Sequence, residues 1–487
     1  MRGAAGLVAV AAIGVAACRS SQSVQAGAAS SSTTVLAASC EGVRAAGPRC
    51  VSVSVPENRA TPGRLIALRV VVLPATATPR SPDPVFYLSG GPGQAASSMA
   101  NDGLPLLGAL RTHRDLVFAD QRGTGGSNAL LCDFYGPPDR PHRYFTEFLP
   151  LDRVRSCRDK LQGHVDLRQY TTPASVDDLE AIRIALGYPQ LNLVGGSYGT
   201  RLAMEYVRRY EHNVRAVVLE SPVTAATHSP ESFGRHAAAA LDALIDECGA
   251  TTACAAAFPA LRVEVAAVFD RVRQAPVTTT VAHPAAGVAE RVTLTRNHVG
   301  EAIRYLMYSS RGASTVPFIL HRAFAGDYAP IARFLIRWRA QGTFDGLYLS
   351  ITCAEDVPFV PADAGARDEP TYLGSYRVRE QRAACAEWPH AVPTADARSP
   401  VTAAVPVLII SGTHDPVTPP ANGDEVARTL RHSAHVRVPS GGHSPNGLEG
   451  LECLDDLVCT TIEHGRVEGL DTTCVARIRR PGFKLSE

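Results

Sequence analysis

Apolar and polar positions alternate near the start of the chain and run together further on. VSVSVPENRA (51–60) and LIALRVVVLPA (65–75) show the period of two expected of half-buried strands, and predict an antiparallel pair at the start of a sheet. Six later runs are continuously apolar, and each breaks at glycine or a polar turn: VFYLSGGPG, DLVFADQRGTGGS, LNLVGGSYG, AVVLESPV, VPVLIISGTHDP and HVRVPSGGH. Such runs suit strands buried on both faces of a mostly parallel sheet. Between two of them, SVDDLEAIRIALG places Val176, Leu179, Ile182 and Leu186 on one helical face, with Ser175 as N-cap and Gly187 as the stop.

Strands alternating with helices predict a doubly wound α/β sheet. From about Thr224 to Ser399 the period becomes helical, in RHAAAALDALIDECGA, FPALRVEVAAVFDRVRQA, HVGEAIRYLMYSS and FILHRAFAGDYAPIARFLIRW, before sheet-like runs resume at Val405. An insertion of that size between strands predicts a helical cap over the carboxyl ends of the strands, where open α/β sheets bind ligands. The expected division is a core in two parts, 39–223 and 400–487, around a cap at 224–399.

The first residues read as an address. MRGAAGLVAVAAIGVAAC carries a basic Arg2 and an apolar stretch too short to span a bilayer comfortably, which suits a secretory signal over residues 1–18. Val15-Ala16-Ala17-Cys18 looks like a bacterial lipobox, so Cys18 is the expected lipidation site; an ordinary cleavage site with an incidental cysteine is the alternative. Residues 19–38 are small and polar and predict a flexible tether. A membrane contact is expected only through an anchor at Cys18. The expected location is therefore the cell envelope or the exterior.

Charge and cysteine content narrow the class. The 48 lysines and arginines nearly balance 47 aspartates and glutamates, which argues against a nucleic-acid binder. Twelve cysteines in an exported chain suggest disulfides. Close pairs point to Cys40 with Cys50, Cys132 with Cys157, Cys248 with Cys254, and Cys353 with Cys385. There is no C-x-x-C pair and no histidine cluster with the spacing of structural zinc, so no metal is expected. No nucleotide or other cofactor is expected either, because no G-K-[ST] follows the glycine-rich turn.

That turn, Gly195-Gly196-Ser197-Tyr198-Gly199, is a G-x-S-x-G motif leaving an apolar strand and opening a helix with Leu202, Tyr206 and Tyr210 on one stripe. A strand–turn–helix context is what a nucleophile elbow requires, and it predicts Ser197 as nucleophile. A serine hydroxyl needs a base to take its proton and an acid to orient that base. In chain order, Asp415 and then His443 follow, each just past a strand-like run, so all three reach the same edge of the sheet. His414 is the obvious decoy. An oxyanion hole, worth roughly 3 kcal/mol per donor, is expected from the backbone N–H of Tyr198 and from the loop Ser89-Gly90-Gly91-Pro92-Gly93. Gly91 is the preferred donor there, with Gly90 as the alternative.

SGGPG, then Asp120-Gln121-Arg122-Gly123-Thr124-Gly125-Gly126-Ser127, then GGSYG, resemble the proline iminopeptidase and tripeptidyl aminopeptidase group of α/β-hydrolases. PVLIISGTHDPVTP, GGHSP and GLDTTCVARIRRPGFKL resemble the C-terminal region of the tripeptidyl aminopeptidase branch, and the likeness covers about residues 40–487. One departure is Ser89, where iminopeptidases usually carry histidine. By the same resemblance Cys453 pairs with Cys474 and Cys459 is the odd thiol. The resemblance implies an exported serine exopeptidase acting on peptides with a free N-terminus. Such an enzyme must recognise a charged α-amine with a carboxylate. Glu355 and Asp356, beside Cys353, are the candidates. Arg122 is given no catalytic role and is a candidate support for the oxyanion loop. A carboxylesterase or lipase would use the same triad without an acidic amine pocket. A non-catalytic binding module would be expected to have lost a triad member.

Overall fold

The computed structural model describes residues 34–61, 63–101, 105–135, 139–393 and 397–486. The strands are β1 (Val35–Ala37), β2 (Arg49–Pro56), β3 (Leu65–Leu73), β4 (Val85–Leu88), β5 (Leu116–Ala119), β6 (Leu191–Gly196), β7 (Val214–Glu220), β8 (Val277–Ala282), β9 (Ala289–Leu294), β10 (Val407–Gly412) and β11 (Ser433–Val438). Nine of them form one sheet in the order β1-β2-β3-β5-β4-β6-β7-β10-β11, and β8 and β9 form a separate hairpin. Pairing is antiparallel from β1 to β5 across β2 and β3. Every pairing from β5 through β4, β6, β7 and β10 to β11 is parallel. The continuous apolar runs explain this: all six residues of β10 and all four of β5 are buried, which requires cover on both faces.

One cluster of side chains fills each face. Val53, Leu68, Phe86, Leu193, Val217 and Ile409 pack with the helices on one side, and Val71, Phe118, Val194, Val218 and Leu408 with those on the other. The helix predicted from SVDDLEAIRIALG runs Thr172–Ala185 and buries Val176, Leu179 and Ile182. It begins earlier than the pattern suggested. Thr171 is the N-cap, its hydroxyl accepting from the Ala174 N–H, and a proline occupies the first turn. Ser175 lies inside the helix, where its hydroxyl donates to the Thr171 carbonyl at 2.8 Å.

Between β7 and β10 the chain does not pack as one unit. Residues 240–336 build a core of their own around Leu244, Phe269, Ile303, Leu320 and Leu335, which also takes in Tyr144 and Phe483. By contrast Leu347, Ile351, Cys353, Cys385 and Trp388 join the main core against Cys157 and Leu161. The hairpin β8–β9 interrupts the helical period of the insertion.

The four disulfides predicted from close pairs are present: Cys40–Cys50, Cys132–Cys157, Cys248–Cys254 and Cys353–Cys385. So is Cys453–Cys474, the pairing that the family resemblance implied. Cys40–Cys50 staples the segment after β1 to β2, and Cys132–Cys157 ties the loop after β5 to the helix Leu151–Gln162. Cys248–Cys254 closes the turn between the helices Phe233–Ala250 and Thr252–Ala257. Among the described residues Cys459 is the free cysteine, its thiol pushed up to about 11 by burial and then by Asp455. Five disulfides fit a protein of an oxidising compartment.

No helix among the described residues is long and apolar enough to cross a membrane. The signal over residues 1–18, the lipidation site Cys18 and the tether up to residue 33 lie outside the described residues. The end of the predicted tether is not a loose segment: Val35–Ala37 pairs along β2 with Val35 opposite Val53, because VLA offers a short edge strand to an open ladder.

Candidate active site

Ser197 stands between β6 and the helix Tyr198–Tyr210 with φ 53° and ψ −122°, a conformation disfavoured for residues with a side chain. The turn is tight enough to exclude side chains on either flank. A Cβ on Gly195 would come within 2.5 Å of the Gly199 carbonyl oxygen, and one on Gly199 would run into the Leu88 carbonyl. The Ser197 N–H donates to the Glu220 carbonyl at the end of β7 at 2.9 Å, which seats the elbow at the carboxyl edge of the sheet.

Asp415 and His443 meet at the same edge. The His443 Nδ1 lies 2.8 and 3.0 Å from the two Asp415 carboxylate oxygens. A carboxylate there accepts a hydrogen bond from Nδ1–H, which fixes that tautomer and leaves the Nε2 lone pair as the base. Asp415 is buried and also accepts the Val417 and Thr418 N–H groups at 2.8 and 2.9 Å and the Thr418 hydroxyl at 2.8 Å. Burial alone would raise its carboxyl. The electrostatic interaction and hydrogen bond with His443, with the backbone donors, outweigh burial and hold it below the usual carboxylate range. Ser221, the residue after β7, links the two halves: its N–H donates to the Ile410 carbonyl at 2.8 Å and its hydroxyl to the His443 carbonyl at 2.9 Å. His414 faces Glu247 at 3.4 Å instead, away from this network.

The loop Ser89–Gly93 lies against the nucleophile. A Cβ on Gly90 would come 3.1 Å from the Ser197 Cβ and 3.2 Å from the Gly196 carbonyl oxygen. Gly90 therefore borders Ser197, and Tyr198 is the first residue of the helix that follows the nucleophile. The Tyr198 side chain is buried, its hydroxyl within 2.8 Å of Thr172 Oγ1 and 3.1 Å of Gln121 Nε2.

The remaining predicted residues have partners of their own. Asp356 is buried and pairs with Arg201 of the elbow helix at 2.8 Å. Glu355 accepts the Thr172 N–H at 2.7 Å and its hydroxyl at 2.6 Å, and lies 3.9 Å from Arg201. Burial raises the Glu355 carboxyl, opposed by Arg201 and Thr172. Glu355, unlike Asp356, lines a cavity of about 510 Å³ beside the elbow helix, with Thr172, Arg201, Met204 and Thr224. Ser197 and His443 do not line it. Arg122 supports a different part of the site from the one expected. Its partners are Asp178 at 2.6 and 2.8 Å and the Glu57 and Gln169 carbonyls, whereas Asp120 ties down the segment after the glycine loop through the Ser97 N–H at 2.8 Å.

Three residues escaped the sequence reading. Thr418 holds Asp415, as described above. Tyr308, from the insertion, places its ring 4.9 Å from that of His443. Glu220 has its carboxyl pushed up to about 7, first by burial and then by Asp415, against the opposing effect of His443. Thr418 follows Asp415 in HDPVT and could have been flagged as a neighbouring hydroxyl; nothing local marks the other two.

Comparison with known proteins gives this arrangement a family. Residues 83–266 match the α/β-hydrolase fold model, and residues 370–474 match that of the TAP-like proteins. The chain is an α/β-hydrolase with a TAP-like C-terminal region. This hydrolase is similar to the serine protease Hip1 of Mycobacterium tuberculosis, with 27% identity over 470 residues, 88% of this chain and 87% of that protein. It is equally similar to carboxylesterase B of the same organism, at 27% over 451 residues, 84% and 83% of the two chains. A shorter match joins it to the tripeptidyl aminopeptidase of Streptomyces lividans, at 30% over 190 residues, 36% and 35% of the two chains. The hydrolase family and the elbow agree on the reaction class, and the relatives divide between peptide and ester substrates.

Proposed function

We propose that this hydrolase is an exported serine exopeptidase that takes residues, singly or as a short unit, from the free N-terminus of peptides. The observation that carries the reading is the His443–Asp415 pair at the sheet edge that also bears Ser197 on its strained turn. In the proposed cycle the Ser197 hydroxyl gives its proton to His443 Nε2 as its oxygen attacks the scissile carbonyl. The N–H groups of Tyr198 and Gly91 receive the oxyanion. His443 then passes the proton to the leaving amine as the C–N bond breaks, leaving an acyl-enzyme, and water resolves it by the same route.

The relatives named as a serine protease and a tripeptidyl aminopeptidase support peptide substrates, and carboxylesterase B supplies the rival reading of ester substrates. Glu355 is the better candidate for the α-amine, since Asp356 is committed to Arg201 and only Glu355 lines the neighbouring cavity. A signal at residues 1–18 and lipidation at Cys18 belong to the same proposal. The test is hydrolysis of aminoacyl and tripeptidyl anilides, their N-acetylated forms and short acyl esters, with Ser197→Ala as control. Cleavage of free-amine anilides that is lost on acetylation and in the variant supports the reading, and turnover of esters alone overturns it in favour of a carboxylesterase.

A further inference from the structure

The insertion carries a cationic cluster, one aromatic ring removed from His443 at Arg304, that the triad does not use. Arg304, on the helix Arg296–Leu306, is 1% exposed. Its guanidinium carbon lies 4.2 Å from the centroid of Phe233, 5.4 Å from that of Tyr305 and 5.3 Å from that of Tyr308, the ring that touches His443. Among the described residues, Arg304 Nε and Nη2 have no hydrogen-bond partner, and neither has the hydroxyl of Tyr372. Arg377, also buried, stands 5.3 Å from the same Phe233 ring. Its Nη2 donates to the Tyr348 hydroxyl at 3.1 Å, and its Nε has no partner.

Nearby carboxylates are already taken. Glu301 holds Arg339 through two bonds of 3.0 and 2.7 Å. Glu380 accepts the N–H groups of Phe148 and Leu149 at 2.8 and 3.2 Å. Asp368 accepts the Gly234 N–H at 3.0 Å and pairs with Arg235 at 2.6 Å. A buried guanidinium without a carboxylate is costly, and aromatic faces recover only part of that cost. Unused N–H and O–H donors around a fixed positive charge, one ring away from the catalytic base, match the chemistry of a carboxylate.

We propose that Arg304, with the Tyr372 hydroxyl and Arg377, seats a carboxylate of the substrate next to the scissile bond, so that the preferred substrates are anionic there. The inference rests on the serine-hydrolase reading for the reacting atoms and adds the substrate class. The carboxylate has two sources: an acidic side chain on the acyl side, or the free α-carboxylate of a short peptide on the leaving side. In either case the substrate's α-amine lies away from this cluster, toward the Glu355 side of the elbow helix. Arg304 is a specificity-determining residue in this account.

The test uses matched pairs that differ only in charge. Glutamyl against glutaminyl p-nitroanilide probes the acyl side, and trialanine against its C-terminal amide probes the leaving side, each with the amine free and acetylated. The wild-type protein is expected to favour the carboxylate member of one pair by about tenfold or more in kcat/KM, the size of one charge-assisted hydrogen bond. The responding pair names the source. Arg304→Met is expected to bring that ratio to about one through KM, and Arg304→Lys to recover part of it. Equal kcat/KM within both pairs in the wild type overturns the proposal without any variant, as does a ratio that survives Arg304→Met. Turnover indifferent to acetylation overturns the exopeptidase reading and leaves this one standing. If no anilide or peptide is turned over, the same compounds are compared as inhibitors of p-nitrophenyl acetate hydrolysis. About tenfold tighter inhibition by the carboxylate members supports the seat, and equal inhibition overturns it.

Discussion

Arg122 and Arg304 are both fully buried, at 0% and 1% exposed, and their surroundings treat them in opposite ways. Arg122 meets Asp178 through two bonds of 2.6 and 2.8 Å and gives further hydrogens to the Glu57 and Gln169 carbonyls. It ties the loop after β5 to the helix Thr172–Ala185 and to the end of β2. Arg304 has aromatic rings for neighbours and two nitrogens without acceptors. A closed network of this kind is a structural fastener. An open one, placed at a reaction site, is built for something that arrives. The difference teaches where in this molecule charge serves the fold and where it serves a ligand.

Breaking each arginine should separate the two roles. Arg122→Met strands Asp178 with the partly exposed Arg59 as its remaining partner, and is expected to lower the unfolding free energy by about 3 kcal/mol. Arg304→Met removes a charge that has no partner to strand, so its stability is expected to stay within about 1 kcal/mol of wild type or to rise. Chemical denaturation of both variants measures the contrast. Equal destabilisation would mean that Arg304 is a fastener too.

A smaller effect concerns the acid of the site. Thr418→Val removes a hydroxyl 2.8 Å from an Asp415 carboxylate oxygen while keeping the side chain's shape. The expected result is a fall of about tenfold in kcat with KM little changed, the value of one hydrogen bond to a charged group. Steady-state kinetics on any accepted substrate reads it, and an unchanged kcat would remove Thr418 from the positioning of Asp415.

A further effect is one of pH. Glu220 has its carboxyl raised from 4.5 to about 7 by burial and Asp415. A carboxyl kept neutral in the folded protein supports stability below the unfolded value, and that support is lost as pH rises from about 4.5 to about 7. The thermal midpoint of the wild type should therefore lose this contribution across that window, and Glu220→Gln should decline less steeply. Parallel curves for the two proteins would contradict the assignment.

Much of this architecture was legible because burial on both faces leaves continuous apolar runs. VLIISG and LVFA could hardly be anything but covered strands, and the elbow glycines announce a turn that no side chain fits. Short spacing was enough for Cys248 and Cys254, six residues apart, whereas Cys453 and Cys474 needed the family likeness because Cys459 lies between them. The hairpin β8–β9 was not legible as such. VTTTVA leaves its threonines half or fully exposed and sits within a stretch whose period is otherwise helical. The tether boundary failed because a three-residue edge strand leaves almost no pattern. Asp415 and His443 follow the order that the elbow demands, so the sequence pointed to them. Tyr308 and Arg304 did not stand out. Tyr308 meets His443, and Arg304 meets the Tyr308 ring, where Ser309 pairs with Ser444, a meeting of insertion and core 135 positions apart that no local period encodes.

The most direct test is to label the purified protein with a fluorophosphonate and locate the adduct by peptide mass spectrometry. A single adduct on Ser197, lost in His443→Ala as well as in Ser197→Ala, is the predicted result. An adduct on another serine, or none in a folded protein, would contradict Ser197 as the nucleophile.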